Sequence, residues 1–177
     1  MTDSNERRRI LAIARGSIES AFTGTGMEIP VTDKRLGAFV TLRKDHALRG
    51  CIGFLVGVMP LYEEIAQLAR EAAFEDPRFP HLQESELDSI IIEVSLLSVP
   101  ERIDSPGSFV PGRDGIIMTN GRHRAVFLPQ VADETGWSRE EMLTALSRKA
   151  GLDGNAWKSQ ESIFETFQAE VFDESNV

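Results

Sequence analysis

Apolar residues recur at helical spacing early in the chain. Leu11, Ala14, Ile18 and Phe22 fall on one side of a helix. Ser4 or Asn5 is the expected N-cap, because either side chain takes up free N–H groups of a first turn. Thr23-Gly24-Thr25-Gly26 ends the helix. Gly37 to Leu42 is then a β-type run. Lys44-Asp45-His46-Ala47 turns the chain, and Leu48 to Phe54 returns, which predicts a hairpin. Leu61, Ile65, Leu68 and Ala72 mark the buried stripe of a second helix, with Pro60 in its first turn. Asp76-Pro77 stops it, since proline disfavours the α conformation at the residue before it.

Ser89 to Val99 reads as a strand, ended by Pro100. Ile90, Ile92, Val94 and Leu96 share one face, and Ile91, Glu93, Ser95 and Leu97 the other. Apolar residues on both faces place it centrally in a sheet. A loop follows from Ser105 to Gly115. Gly115–Thr119 and His123–Phe127 flank Asn120-Gly121, a second hairpin signal. Pro129 to Thr135 predicts a short helix. Ser138 and Glu141 form a capping box for another, which runs to Ala150 with Gly151 beyond its end. Ser162 to Phe172 is a last strand region. Hairpins dominate and no βαβ rhythm appears, so the class is α+β, a mainly antiparallel sheet with flanking helices. At 177 residues the chain suits a single domain, with room for two lobes.

Composition narrows the partners. The formal net charge is −9. An acidic surface repels phosphate backbones and anionic lipid heads, so nucleic acid and membrane partners are not expected. One cysteine precludes an internal disulfide and a cysteine-rich zinc site. Ile10 to Phe22 is broken by Arg15 and Glu19, so it is no signal peptide, and no apolar run approaches the ~20 residues of a membrane span. A cytoplasmic location is expected. No glycine-rich nucleotide loop, His-Glu-x-x-His or Gly-x-Ser-x-Gly occurs, so neither cofactor nor metal is expected.

The sharpest chemistry lies in Leu48-Arg49-Gly50-Cys51-Ile52-Gly53. In a regular strand Arg49, Cys51 and Gly53 share a face. Gly50 and Gly53 remove bulk and leave room for a ligand or another backbone. The Arg49 guanidinium would stabilise a thiolate, making Cys51 a candidate nucleophile. The competing reading is a small core cysteine with glycines that serve packing. Glu93 is a candidate proton acceptor near Cys51. It would otherwise pair with Arg49 or Arg78, or face solvent. Asp76-Pro77-Arg78-Phe79 reads as a clamp on neighbouring backbone, or as presenting Arg78 to an anionic ligand. His46, His81 and His123 are the available imidazoles. His46 lies roughly 15 Å from Cys51 along an extended strand.

Leu48-Arg49-Gly50-Cys51-Ile52-Gly53 resembles the signature of the AMMECR domain family. The resemblance continues through Gly37–Leu42, Pro60-Leu61, Asp76-Pro77-Arg78-Phe79, Ile92–Leu97, Leu128-Pro129-Gln130, Lys149–Leu152 and Trp157. It implies an α+β fold with a larger and a smaller lobe and the signature cysteine near the cleft between them. It also implies grouping with a radical SAM protein and a Memo-like protein in a modification pathway. On an enzymatic reading the substrate is a small molecule or peptide. Cys51 and Glu93 are then catalytic, and Arg49, Gly50, Gly53 and Arg78 lie on the substrate side. The alternative is a binding or adaptor domain in which Cys51 is structural.

Overall fold

The computed structural model describes residues 2–177. Its elements run α1 (Ser4–Thr23), β1 (Gly37–Lys44), β2 (Ala47–Phe54), α2 (Leu61–Phe74), β3 (Ile90–Leu97), β4 (Glu101–Ile103), β5 (Gly115–Asn120), β6 (His123–Phe127), α3 (Gln130–Thr135), α4 (Arg139–Lys149), β7 (Ile163–Phe167) and β8 (Ala169–Asp173). The chain divides into two compact units. One comprises the chain up to Leu97 together with Glu170–Val177, and the other is Ser98–Ala169. Among the described residues no helix is long and apolar enough to cross a membrane.

The first unit is built on a sheet of order β2-β1-β3-β8, in which β1 pairs antiparallel with both β2 and β3. Alternation sends Ala38, Val40 and Leu42 of β1, and Ile90, Ile92, Val94 and Leu96 of β3, into one core with Ile10, Ile18, Leu61, Ile65 and Leu68. Each large side chain sealed there contributes about 2 kcal/mol. The helices α1 and α2 lie side by side and run in the same direction. Tyr62 donates to Glu6, Ser17 donates to the Ala66 carbonyl, and Phe22 meets Phe74, so early residues pair with early and late with late.

One local expectation is corrected here, the N-cap, and the turn expected at Lys44-Asp45-His46-Ala47 is present. Asp3 caps α1, accepting the Glu6 N–H at 2.8 Å, in place of Ser4 or Asn5. The first hairpin closes on two residues, Asp45 and His46, both left-handed with φ of 51° and 64°. That loop matches the twist of the flanking strands.

The second unit carries a sheet of order β4-β7-β5-β6. Phe109, Ile116, Met118, Met142, Leu146 and Phe164 form its core. The capping box of Ser138 and Glu141 starts α4. The β5–β6 turn falls on Gly121-Arg122, one residue later than the Asn-Gly signal suggested, and Asn120 stays in the ladder opposite His123. Gly121, at φ 58°, supplies the left-handed first position. The expected single strand from Ser162 to Phe172 divides into β7, in this sheet, and β8, in the other.

Candidate functional site

Cys51 sits on β2, an edge strand of the first sheet, and is partly exposed. Thr41 of β1 lies directly opposite it, and its Oγ1 donates to the Cys51 Sγ at 3.2 Å. Thr41 also lies opposite Glu93 on β3. Cys51, Thr41 and Glu93 therefore form a row across three strands.

The outward edge of β2 at Cys51 is covered. The Cys51 N–H donates to Asp76 Oδ2 at 2.9 Å, and its carbonyl accepts from Arg78 Nη2 at 3.2 Å. Asp76, only 4% exposed, also accepts from Arg78 Nε at 2.9 Å, Nη2 at 2.7 Å and the Arg78 N–H at 3.1 Å. The pair offers Cys51 one acceptor and one donor, as a neighbouring strand would. The Arg78 guanidinium beside Asp76 holds that carboxyl far below the usual carboxylate range, and the Cys51 N–H adds to the effect. Arg78 leans over the Phe79 ring at 5.5 Å while its side chain stays 55% exposed. Asp76 and Arg78 thus clamp backbone, and an exposed part of the guanidinium remains for solvent or a ligand.

Arg49 does not face the sulfur. The β1–β2 register runs Arg43 to Leu48 and then Leu42 to Gly50, so Arg49 is the extra residue of a β-bulge. The bulge breaks the alternation that would have aligned Arg49 with Cys51. Its guanidinium, 12% exposed, is committed to Glu86, through Nε at 3.1 Å and Nη2 at 2.9 Å, and to the Pro80 carbonyl at 3.0 Å. Lys44 reaches the same carboxylate at 3.0 Å. Arg49 first, then the Gln83 N–H, bring the Glu86 carboxyl down to about 2.

A depressed carboxyl stabilises the fold above its unfolded value, about 4.3, and that contribution disappears as pH falls toward the folded one. Glu86→Gln is therefore expected to cost about 3 kcal/mol at neutral pH, by leaving the partly buried Arg49 guanidinium without its charge partner. Urea unfolding at a series of pH values checks this. The deficit relative to the natural chain should shrink as the pH drops below about 4.3; a deficit constant down to pH 2 would contradict it.

The glycines of the signature face protein, not open space. A Cβ on Gly50 would stand 2.1 Å from the Ala72 carbonyl oxygen of α2, and one on Gly53 2.3 Å from the Phe39 ring. Glu93, with its side chain 18% exposed, pairs with Arg43 at 3.3 Å, and with neither Arg49 nor Arg78. His46 is at the exposed hairpin tip. His81 is exposed with its ring 6.3 Å from that of Phe74. His123 lies in the second unit and donates to the Ala150 carbonyl at 2.9 Å. The structure therefore brings Cys51, Arg78 and the Glu93 row together in the first unit and leaves Arg49 and the histidines in other roles.

Thr41, Arg43, Asp76 and Glu86 complete the surroundings of the signature. Of these, Asp76 alone was singled out in the sequence for a chemical role, by its place before Pro77 and Arg78. Among the described residues no group of three or more His, Cys, Asp or Glu side chains is placed to hold a metal.

Comparison with known proteins agrees with the signature. A protein of Thermococcus onnurineus is 44% identical over 151 residues, covering 80% of this chain and 74% of the relative. One of Methanothermobacter thermautotrophicus is 40% identical over 182 residues, covering 96% and 95%. The crystal structure of an uncharacterised protein from Pyrococcus horikoshii superposes with a TM-score of 0.81 at 36% identity, over 94% of this chain and 90% of that one. The AMMECR1 family pattern matches residues 11–172, and the chain belongs to that family.

Proposed function

We propose that this chain is the thiol-bearing component of a modification reaction on a small molecule or peptide, and that Cys51 is its reactive atom. The observation that carries the reading is the placement of the sulfur. It is partly exposed, accepts a hydrogen bond from the buried Thr41 hydroxyl at 3.2 Å, and belongs to a residue whose N–H and carbonyl are both held by the Asp76–Arg78 clamp. A donor aimed at sulfur stabilises negative charge there, and a fixed backbone keeps the nucleophile in one position.

In this scheme the Cys51 thiolate adds to an electrophilic carbon of the substrate, whose leaving group or π-bonded heteroatom takes the displaced electron pair, and the Thr41 hydroxyl holds the sulfur. The exposed side of Arg78 orients an anionic group of the substrate, and Glu93, two strands from the sulfur across Thr41 and paired with Arg43, receives the Cys51 thiol proton by way of solvent. Arg49 has a structural part through Glu86. The family resemblance adds the expected partners, a radical SAM protein and a Memo-like protein, which would supply or consume the modified group.

The test is alkylation of Cys51 by iodoacetamide in the native protein, with urea-unfolded protein as reference. Native labelling is expected, and Thr41→Val should slow it about fivefold near neutral pH, the loss of one hydrogen bond of about 1 kcal/mol. Labelling that begins only on unfolding would reject the reactive thiol and leave a binding or adaptor domain. A rate unchanged in Thr41→Val would remove Thr41 from the scheme.

A further inference from the structure

The geometry points to a binding site for an organic cation at the paired C-terminal ends of α1 and α2, away from Cys51 in the sequence and independent of its chemistry. An open cavity of about 830 Å³ lies there, lined by Phe22, Gln67, Arg70, Glu71, Phe74 and Glu75.

Three features of its wall favour positive charge. The first is the helix pair. Because α1 and α2 run in the same direction, their last turns come together, and Phe22 of α1 and Phe74 of α2 both line the cavity. Each helix end carries a partial negative charge of about half a unit. Cations commonly offset it, yet the last turn of each helix is without a basic residue.

The second feature is the side-chain charge. Glu71 and Glu75 stand against a single guanidinium, that of Arg70, which turns toward the Ser20 hydroxyl of α1 at 3.5 Å. Gln67 donates to Glu71 at 2.7 Å and leaves the carboxylate its charge. The wall is therefore electronegative even before the helix ends are counted.

The third is aromatic. Phe22 and Phe74 meet edge to face, with centroids 5.5 Å apart and planes at 65°, both are half-buried, and the His81 ring stands edge to face with Phe74 at 6.3 Å. A ring face attracts a cation that keeps apolar carbon around its charge. A phosphate or carboxylate would meet carboxylates and helix C-termini, and a purely apolar ligand would leave the charge unused. An alkylammonium satisfies both. The acidic chain as a whole, at −9, raises the local concentration of such cations.

The experiment follows the amides of Thr23, Gly24 and Glu75 and the rings of Phe22 and Phe74 by NMR in the full chain. Three probes are titrated: choline, its uncharged isostere with carbon in place of nitrogen, and Nα-acetyl-lysine methylamide. Choline or the lysine amide should give saturable shifts at about tenfold lower concentration than the isostere. Tighter binding of choline assigns the site to a free quaternary amine, and tighter binding of the lysine amide to a lysine side chain on a partner protein.

Glu71→Gln combined with Glu75→Gln should weaken the cations about tenfold and leave the isostere unchanged. Glu75 is the exposed C-cap of α2 and Glu71 is only partly buried, so the variant is expected to keep its fold. Arg70→Ala should tighten the cations. The proposal is overturned if the isostere binds as well as choline, if no probe saturates, or if cation binding ignores both changes of charge.

Discussion

Asp76→Asn is expected to destabilise the protein by about 3 kcal/mol and to loosen the backbone at Cys51. Asp76 is buried and accepts four hydrogen bonds, one from Cys51 and three from Arg78. Asparagine keeps the shape but turns one oxygen into an NH2 group. At the Oδ2 position the NH2 opposes the Cys51 N–H and Arg78 Nη2, and at the Oδ1 position it opposes the Arg78 N–H and Nε; either way the guanidinium that closes the clamp loses its charged partner. Arg78 is exposed enough to return to water at small cost, but the Cys51 N–H at the sheet edge has no such exit while the clamp stays folded over it.

Two measurements separate the clamp from a generic loss of packing. Hydrogen exchange of the Cys51 amide should accelerate in Asp76→Asn more than exchange of the Val40 and Leu42 amides in the centre of the sheet. The acid limb should also flatten. The Asp76 carboxyl is held below its usual range, so it stabilises the fold above its unfolded value of about 3.9 and ceases to do so as pH falls through the folded value. Asparagine has no such dependence. Equal exchange rates at Cys51 in both proteins would show that the clamp does not hold the edge.

Much of the architecture was legible because periodicity reports burial. Leu61, Ile65, Leu68 and Ala72 are sealed in the core, and the expected central strand is β3, flanked by β1 and β8. The site was less legible, and a single bulge explains most of the difference. Alternation assumes one residue against one. The two-residue turn pairs Lys44 with Ala47, and an unbroken ladder from there would set Thr41 opposite Gly50. The bulge sets it opposite Cys51 and rotates Arg49 toward Glu86. Nothing in the residue types of Leu48-Arg49-Gly50 announces that extra residue. Glu93 found Arg43 for a related reason, since their proximity depends on strand order and register. The division of Ser162–Phe172 was hidden because β7 and β8 are nearly continuous in sequence while belonging to different sheets.

The glycines carry the other large effect. Gly50→Ala is expected to cost about 3 kcal/mol or more, among the more severe single changes available to the first unit. The new Cβ would lie 2.1 Å from the Ala72 oxygen and 3.1 Å from its carbonyl carbon. Both atoms are backbone inside α2, where the chain is held by its own hydrogen bonds and by Leu68, Ala69 and Ala73 in the core. No rotamer change relieves the overlap. Either β2 or α2 must shift, and a shift of β2 carries Cys51 away from Asp76.

Gly26→Ala is the control, because a Cβ there meets nothing within 4 Å and should change stability by less than about 0.5 kcal/mol. Urea midpoints of the two variants make the comparison. If Gly50 served only to admit a ligand, Gly50→Ala would fold as well as Gly26→Ala and lose binding alone. A large loss of stability without any ligand instead ties the glycine to the close seating of β2 on α2, the packing that fixes where the Cys51 sulfur stands.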